Sequence, residues 1–417
     1  MELNAILIGV SSYSEKLEKS MNELEQLAFA NEIKVSNRMV QLLNSPSNYG
    51  YFRKGKLDEL NNYLNNHDEV NIVIADDELS SSIIRNIKKS IDRKDIMVMD
   101  RTTLILDIFE KRAQTKEAIN QVKIAKYQYQ LTHLVSVNEN YDQQRGSSAL
   151  HNKGAGEKQI NLDRNEINKR ISILKKDIEQ HKKVVQEKQK QRDENGLFKV
   201  ALVGYTNAGK STIMNNLVQE DKQVFEKDML FATLDTSTRN VYLKNNRSIL
   251  LSDTVGFIDK LPHNLVVSFN STLKEALDAD LILYVVDFSD ENFQNHIQVT
   301  NDTLEEIGLK EEVKQLYIYN KIDNIDKPIP SVRKDNIVYM SARNEIGIQL
   351  IKDVIYEELF SCMKRTKLLI PYSKSNHYDY LNKTCNIVEV ENTNDGYLIS
   401  VDLLDKEIEY FKEYISI

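Results

Sequence analysis

The chain has 417 residues, 41% of them hydrophobic and 28% charged, and a net charge of −8. That length suits two to four domains with cores of their own, and the composition excludes a disordered or membrane-embedded chain. Two cysteines, Cys362 and Cys385, no His/Cys cluster at ligand spacing, and a longest strongly apolar run of only Leu281 to Val286 argue against a disulfide scaffold, structural zinc or a membrane span, and fit a cytoplasmic chain.

Residues 1–110 alternate strand-like and helix-like stretches. The start, Met1 to Ile8, lacks the basic region of a signal peptide, and Ala5 to Val10 reads as a first strand. Ser14 to Ala30 carries Leu17, Met21, Leu24 and Leu27 at helical spacing. Val70 to Ala75 and Ile96 to Met99 are strand-like, and Ser80 to Ser90 is helical. Such alternation predicts an α/β domain with a mainly parallel sheet. Arg53-Lys54-Gly55-Lys56 is a basic glycine turn opening a helix, either a plain helix entry or an anion site.

Residues 111–192 change character. They hold 18 Lys and Arg against 9 Asp and Glu, a local balance of +9 that leaves −17 for the rest. Ala113 to Val137 lacks proline and glycine and reads as one long helix. Ile160, Ile167, Ile171, Leu174, Ile178 and Val185 then recur at alternating three- and four-residue steps, broken by Arg164 and His181, a heptad seam. An antiparallel helical hairpin is the economical reading, with the polar stretch 138–158 at its tip. The positive charge reads either as a footprint for RNA phosphates or as the solvated face of a long helix, and the tip as an RNA probe or a linker.

Residues 197–365 read as a nucleotide-binding domain of Ras-like type, with strands near 198–203, 241–244, 248–253, 281–287, 315–320 and 336–340. Residues 366–417 read as a small α+β domain, with strands at Leu368 to Ile370, Asn386 to Glu391 and Tyr397 to Asp402. The fold class is therefore α/β and multidomain.

The chemistry concentrates in Gly204-Tyr205-Thr206-Asn207-Ala208-Gly209-Lys210-Ser211, which fits G-x-x-x-x-G-K-[ST] between a strand and a helix that continues through Thr212. Glycines let backbone N–H groups close around phosphate oxygens, and the helix N-terminus adds its positive dipole end. Lys210 would serve the β- and γ-phosphates and the Ser211 hydroxyl a Mg²⁺ ion. Asp253-Thr254-Val255-Gly256 ends another apolar strand, so Asp253 could hold Mg²⁺ and the Gly256 N–H a γ-phosphate oxygen. Asn320-Lys321-Ile322-Asp323 follows a strand, as do Ser341, Ala342 and Arg343. A carboxylate at Asp323 can accept from both N1–H and the 2-amino group of guanine, a donor pair that adenine lacks, so the expected ligand is GTP. In the stretch Leu230-Phe231-Ala232-Thr233-Leu234-Asp235, Phe231 is a nucleotide-contact candidate and Thr233 the candidate to close the Mg²⁺ shell, with Thr236 and Thr238 as alternatives. Phe257 stands where many GTPases place a water-orienting glutamine, so no catalytic residue is assigned and slow intrinsic hydrolysis is expected. Asn207 has an amide oxygen that could hold a K⁺ ion beside the phosphates.

These runs together resemble the HflX family of translation-factor-class GTPases along nearly the whole chain. The resemblance is carried by Gly55 to Leu60, Asp76-Asp77-Glu78-Leu79-Ser80 with Arg85-Asn86, and Asp100-Arg101 through Phe109. Gly154-Ala155-Gly156-Glu157 with Leu162-Asp163-Arg164, and the nucleotide motifs themselves, extend it. It implies a cytoplasmic, Mg²⁺-dependent GTPase, stimulated by ribosomal particles, that binds the large subunit and its rRNA and splits stalled ribosomes under stress. It also implies that the hairpin tip meets RNA, which makes Lys153, Lys158 and Arg164 contact candidates, with Arg145 beside them. A monomer is expected. Ser147 to Asn152 replaces much of the glycine of the family loop, and Phe52-Arg53-Lys54 lacks a glycine often found there. Those departures suit a paralogue that protects ribosomes from antibiotics. A GTP-sensing module with a protein partner and an accessory GTPase of RNA modification are the other readings.

Overall fold

The computed structural model describes residues 2–143, 161–180, 197–218, 230–231, 237–260, 275–310, 312–326 and 329–416. Its contacts divide the chain into two units. The first comprises Met1–Lys188, Lys227–Asp235 and Asp259–Ser271; the second comprises Gln189–Glu226, Thr236–Ile258 and Thr272–Ile417.

The first unit is built on a four-stranded parallel sheet in the order β2-β1-β3-β4. Its strands are β1 (Asn4–Ser11), β2 (Lys34–Leu42), β3 (Ile72–Ala75) and β4 (Met97–Asp100). β1 and β3 are continuous apolar runs because helices cover the sheet. Helix α1 (Ser14–Ala30) buries Leu17, Met21, Leu24, Leu27 and Ala28, one stripe at helical spacing. Helices α2 (Lys54–Asn66), α3 (Ser81–Ser90) and α4 (Arg101–Arg112) follow their strands. Side-chain caps set two of these starts: Ser80 Oγ accepts from Ile83 N–H, and Asp100 Oδ1 from Thr103 N–H at 2.9 Å. Strand β2 is absent from the sequence reading for a physical reason. It is an edge strand, mostly exposed, and its sequence KVSNRMVQL has no apolar run.

The long helix expected from Ala113 starts later. Chain turns at 113–115, where Thr115 Oγ1 accepts from Ala118 N–H at 3.1 Å, and α5 then runs Lys116–Gln143. A helix over 161–180, α6, packs on α5 through Ile171, Ile178 and Ile124, flanked by Tyr127, Leu131, Ile167 and Leu174. The predicted seam is thus present at Ile167, Ile171, Leu174 and Ile178; Ile160 and Val185 lie outside the described residues.

The second unit carries a seven-stranded sheet in the order β10-β11-β9-β8-β5-β7-β6. The strands are β5 (Phe198–Gly204), β6 (Ser237–Tyr242), β7 (Ser248–Asp253), β8 (Leu281–Asp287), β9 (Lys314–Asn320), β10 (Arg333–Lys334) and β11 (Ile337–Tyr339). Only β6 and β10 pair antiparallel, so β5, β7, β8 and β9 end on the same side of the sheet. Ligands of open α/β sheets gather at those carboxyl ends. Helices α7 (Lys210–Leu217), α8 (Phe293–Glu306) and α9 (Ile348–Phe360) accompany it.

Beyond it, β12 (Lys364–Ile370), β13 (Asn386–Asn392) and β14 (Tyr397–Leu403) form an antiparallel sheet in the order β12-β14-β13. It packs with α10 (Ser375–Thr384) around Leu368, Ile370, Leu381, Cys385, Ile399, Val401, Leu403 and Phe411. Buried Arg247 ties this sheet to the turn between β6 and β7, donating to both Glu407 carboxylate oxygens (2.6 and 3.0 Å) and to the Asp402 carbonyl. Among the described residues no helix is long and apolar enough to cross a membrane.

Candidate functional site

The site assembles from four loops of the second unit. β5 delivers Gly204, and α7 begins six residues later at Lys210. Gly209 makes that turn possible: its φ is +97°, and a Cβ there would lie 2.2 Å from Asn320 Nδ2. Asn207 is also left-handed, with φ +58°. Lys210 is buried, and its ammonium donates to the carbonyls of Gly204 (3.0 Å) and Tyr205 (2.9 Å). Burial drives its pKa down to about 8, although Asp253 pulls the other way. An anionic phosphate would replace two weak neutral acceptors and favour the ammonium form. Thr206 Oγ1 is buried and has no hydrogen-bond partner among the described residues, which leaves a donor available at the same loop.

The end of β7 closes on this loop. Ser211 Oγ donates to Asp253 Oδ2 at 2.7 Å, and Thr254 Oγ1 to the Leu202 carbonyl. Thr206 N–H donates to Phe257 O at 2.7 Å and Phe257 N–H to Gly204 O at 3.2 Å, so two backbone bonds zip the D-x-x-G turn to the phosphate loop. Gly256 sits so close that a Cβ would lie 2.8 Å from Thr206 Cα and 3.1 Å from Lys210 Nζ. The Phe257 ring is only 2% exposed, a wall rather than a water-orienting group.

The other two loops meet at Asn320. Its Nδ2 donates to the Ala208 carbonyl at 2.8 Å, and its Oδ1 accepts from Ala342 N–H at 2.9 Å. One amide therefore joins the phosphate loop to the Ser341-Ala342 turn, and Asn216 Nδ2 adds a bond to the Ala342 carbonyl. Asp323 Oδ1 accepts from Ser341 Oγ at 2.6 Å, which fixes the carboxylate that a guanine edge would meet. Lys321, at φ +63°, donates to Asp287 Oδ2 at 2.7 Å. Asp287 was not among the residues expected here; its only sequence signal is an acid closing the predicted strand 281–287.

The expected nucleotide residues from Gly204 to Ser211, with Asp253, Gly256, Asn320, Lys321, Asp323, Ser341 and Ala342, are thus brought together. Thr212 lies half-buried in the first turn of α7, and Arg343 is exposed. Phe231 belongs with the first unit, where its ring packs edge-on to Phe109 at 4.6 Å, so the ring serves that core. Thr233, Arg145, Lys153 and Lys158 lie outside the described residues, and Arg164 is exposed on α6.

Residues 18–110 match a family model described as GTP-binding GTPase N-terminal, 112–192 one described as GTP-binding GTPase Middle Region, and 199–321 one described as 50S ribosome-binding GTPase. The chain is 36% identical over 411 residues to the GTPase HflX of Caldanaerobacter subterraneus subsp. tengcongensis, covering 99% of this chain and 93% of that one. It is 32% identical over 372 residues to the GTPase HflX of Escherichia coli, covering 88% and 85%. Among solved structures, a GTP-binding protein from the archaeon Sulfolobus solfataricus in complex with GDP is similar at 23% identity and a TM-score of 0.44, over 86% of this chain and 98% of that one.

Proposed function

Because the chain belongs to the HflX family of GTPases and so hydrolyses GTP, we propose that it works on the large ribosomal subunit, splitting or rescuing stalled ribosomes under stress in the cytoplasm. The observation that carries this reading is the match of residues 199–321 to a family described as 50S ribosome-binding GTPases. The positive balance of residues 111–192 supports it, since rRNA phosphates attract such a segment.

In this reading Lys210 leaves the Gly204 and Tyr205 carbonyls for the β- and γ-phosphates, while N–H groups of the loop and of α7 surround their oxygens. Asp323, already oriented by Ser341, accepts from the guanine N1–H and 2-amino groups. The Ser211 hydroxyl and Asp253 carboxylate, hard oxygen donors held together, fit Mg²⁺, with Thr233 as a third candidate. When bound, Mg²⁺ offsets charge on the phosphate oxygens during transfer. Asn207, at φ +58°, carries an amide oxygen that could coordinate K⁺ beside the phosphates. The buried Phe257 ring cannot polarise water, so intrinsic hydrolysis is slow and the ribosome supplies the missing order, a gain of about 10³–10⁵-fold where such help comes in trans.

Cosedimentation with purified large subunits tests the proposal. Binding is expected with a non-hydrolysable GTP analogue and to weaken with GDP. Neutralising Lys153, Lys158 and Arg164 together should lower affinity and flatten its salt dependence by about 2–3 in log–log slope. Absence of binding in every nucleotide state would overturn it.

A further inference from the structure

Asn216 belongs to none of the nucleotide motifs. It sits half-buried near the end of α7, between Met214 and Leu217, which belong to the buried core of the second unit. Its side-chain amide acts outside the helix. Nδ2 donates to the Ala342 carbonyl at 2.6 Å, across to the turn that follows β11.

That turn is closed on itself. Ser341 N–H donates to Ile346 O at 3.0 Å and Ile346 N–H to Ser341 O at 2.9 Å. Asn344 N–H donates to Ser341 Oγ at 3.2 Å, and Glu345 N–H, from a left-handed residue at φ +56°, to Ala342 O at 3.2 Å. Ser341 and Ala342 are buried at its base. A segment bonded to itself in this way moves as one piece, so what grips it from outside sets where Ser341 stands. Among the described residues two side-chain amides do so, and both hold Ala342. Asn320 Oδ1 accepts its N–H at 2.9 Å, and Asn216 Nδ2 takes its carbonyl. Asn320 also reaches the phosphate loop at Ala208, whereas Asn216 brings its grip from the helix that the phosphate loop opens. The next bond along is Ser341 Oγ to Asp323 Oδ1 at 2.6 Å, which fixes the carboxylate.

We infer that Asn216 is a positioning residue for guanine recognition: from α7 it holds the Ser341-Ala342 turn so that Asp323 meets the N1–H and the 2-amino group together. A carboxylate that accepts two donors at once needs its plane fixed, and fixing it only on binding lowers affinity. Without Asn216 Nδ2 the Ala342 carbonyl keeps, among the described residues, only the bond inside its own turn, and the turn is free to carry Ser341 and Asp323 away from that setting. The effect therefore has one sign, toward weaker guanine binding, and GDP and GTP lose alike because they share the base. The inference rests on Asp323 as the guanine acceptor and not on ribosome binding; Asp323→Asn in the assay below tests that premise by itself.

The test is titration of the full-length protein with fluorescent GDP, followed by competition with unlabelled GDP and inosine diphosphate. Hypoxanthine keeps the N1–H and lacks the 2-amino group, so it offers Asp323 one donor where guanine offers two. Asn216→Ala is expected to weaken GDP about fivefold, the usual net worth of one hydrogen bond, mostly through faster release. Inosine diphosphate should weaken by no more than about twofold, so the preference for guanine narrows. Asn216→Gln, which keeps the donor, should stay within about twofold of the unchanged protein. In a Ser341→Ala protein, which has already lost the bond to Asp323, adding Asn216→Ala should change GDP affinity by less than about twofold, whereas a merely structural role would add its full loss. Thermal unfolding without nucleotide reports whether each variant folds; should Asn216→Ala fail to fold, Asn216→Asp, isosteric but without the donor, decides by the same ratio. Equal losses for the two nucleotides, additive losses with Ser341→Ala, or no loss at all would each overturn the inference.

Discussion

Two buried polar networks in this protein are built on opposite principles. Around the phosphate loop the joints that span between loops are amide and backbone bonds: the Asn320 amide spans from Ala208 to Ala342, and backbone bonds join Thr206 and Gly204 to Phe257, while the charged Asp323 and Asp287 meet Ser341 and Lys321. Around Asp76 the joints are ionic, with Arg101, Glu23, Asp77 and Lys260 drawn from far-apart segments. A neutral joint leaves little uncompensated when a ligand comes or goes, so it suits a frame that must hold its shape through a nucleotide cycle. An ionic cluster in a dry site behaves as a unit, because withdrawing one charge strands its partners. The first network is a mould, and the second is a fastening.

Breaking the mould at its most selective point should have the largest effect. Asp323→Asn exchanges an acceptor pair for an acceptor and a donor, so guanine loses its match while xanthine gains one. Discrimination between GTP and xanthosine triphosphate should change by about 10⁴-fold, as expected where a buried polar site is left unpaired by the wrong base. A competition assay reads this, and GTP affinity unchanged by the substitution would remove Asp323 from the base site.

Breaking the fastening should appear first as stability. Arg101→Met removes a guanidinium that is 1% exposed and strands the carboxylates of Asp76 and Glu23, a loss of about 3–5 kcal/mol in urea unfolding. The pH dependence has a definite sign. The folded pKa of Asp76 is depressed, so its pairing stabilises the fold fully above its unfolded value, about 3.9, and the benefit fades as pH falls through the folded value. The gap between the variant and the unchanged protein should therefore narrow below about pH 4. A loss under about 1 kcal/mol would mean that the cluster is not the single unit described.

The same contrast explains what could be read from sequence. The mould was legible because its members sit at fixed spacings inside short motifs, each at the end of an apolar strand. The parallel sheets and the Ile167-to-Ile178 seam were legible because burial imposes a period. Strand β2 was not, since an exposed edge needs no apolar pattern, and neither was the break before α5, where one Thr115 hydroxyl decides the helix start. Asp76, Asp77 and Arg101 stood out only as runs resembling a family, with no role attached. Their partner Lys260 is 184 residues from Asp76, and no local rule reaches that far.

The smallest effect sharpens the comparison most. Lys56, in the basic turn that opens α2, could have been an anion site; instead its ammonium meets Glu59 Oε2 one helical turn on, at 2.7 Å. On paper this ion pair is as short as the one between Lys260 and Asp77. It differs in that the Glu59 side chain is 60% exposed against 29% for Asp77, which itself adjoins the buried Asp76, so water screens the Glu59 charge more strongly. Lys56→Ala should accordingly change unfolding stability by less than about 0.5 kcal/mol, the usual worth of an exposed pair one turn apart. If urea midpoints showed a loss comparable to that of Arg101→Met, burial could not be what separates fastening from decoration here, and bond length alone would have to carry the distinction.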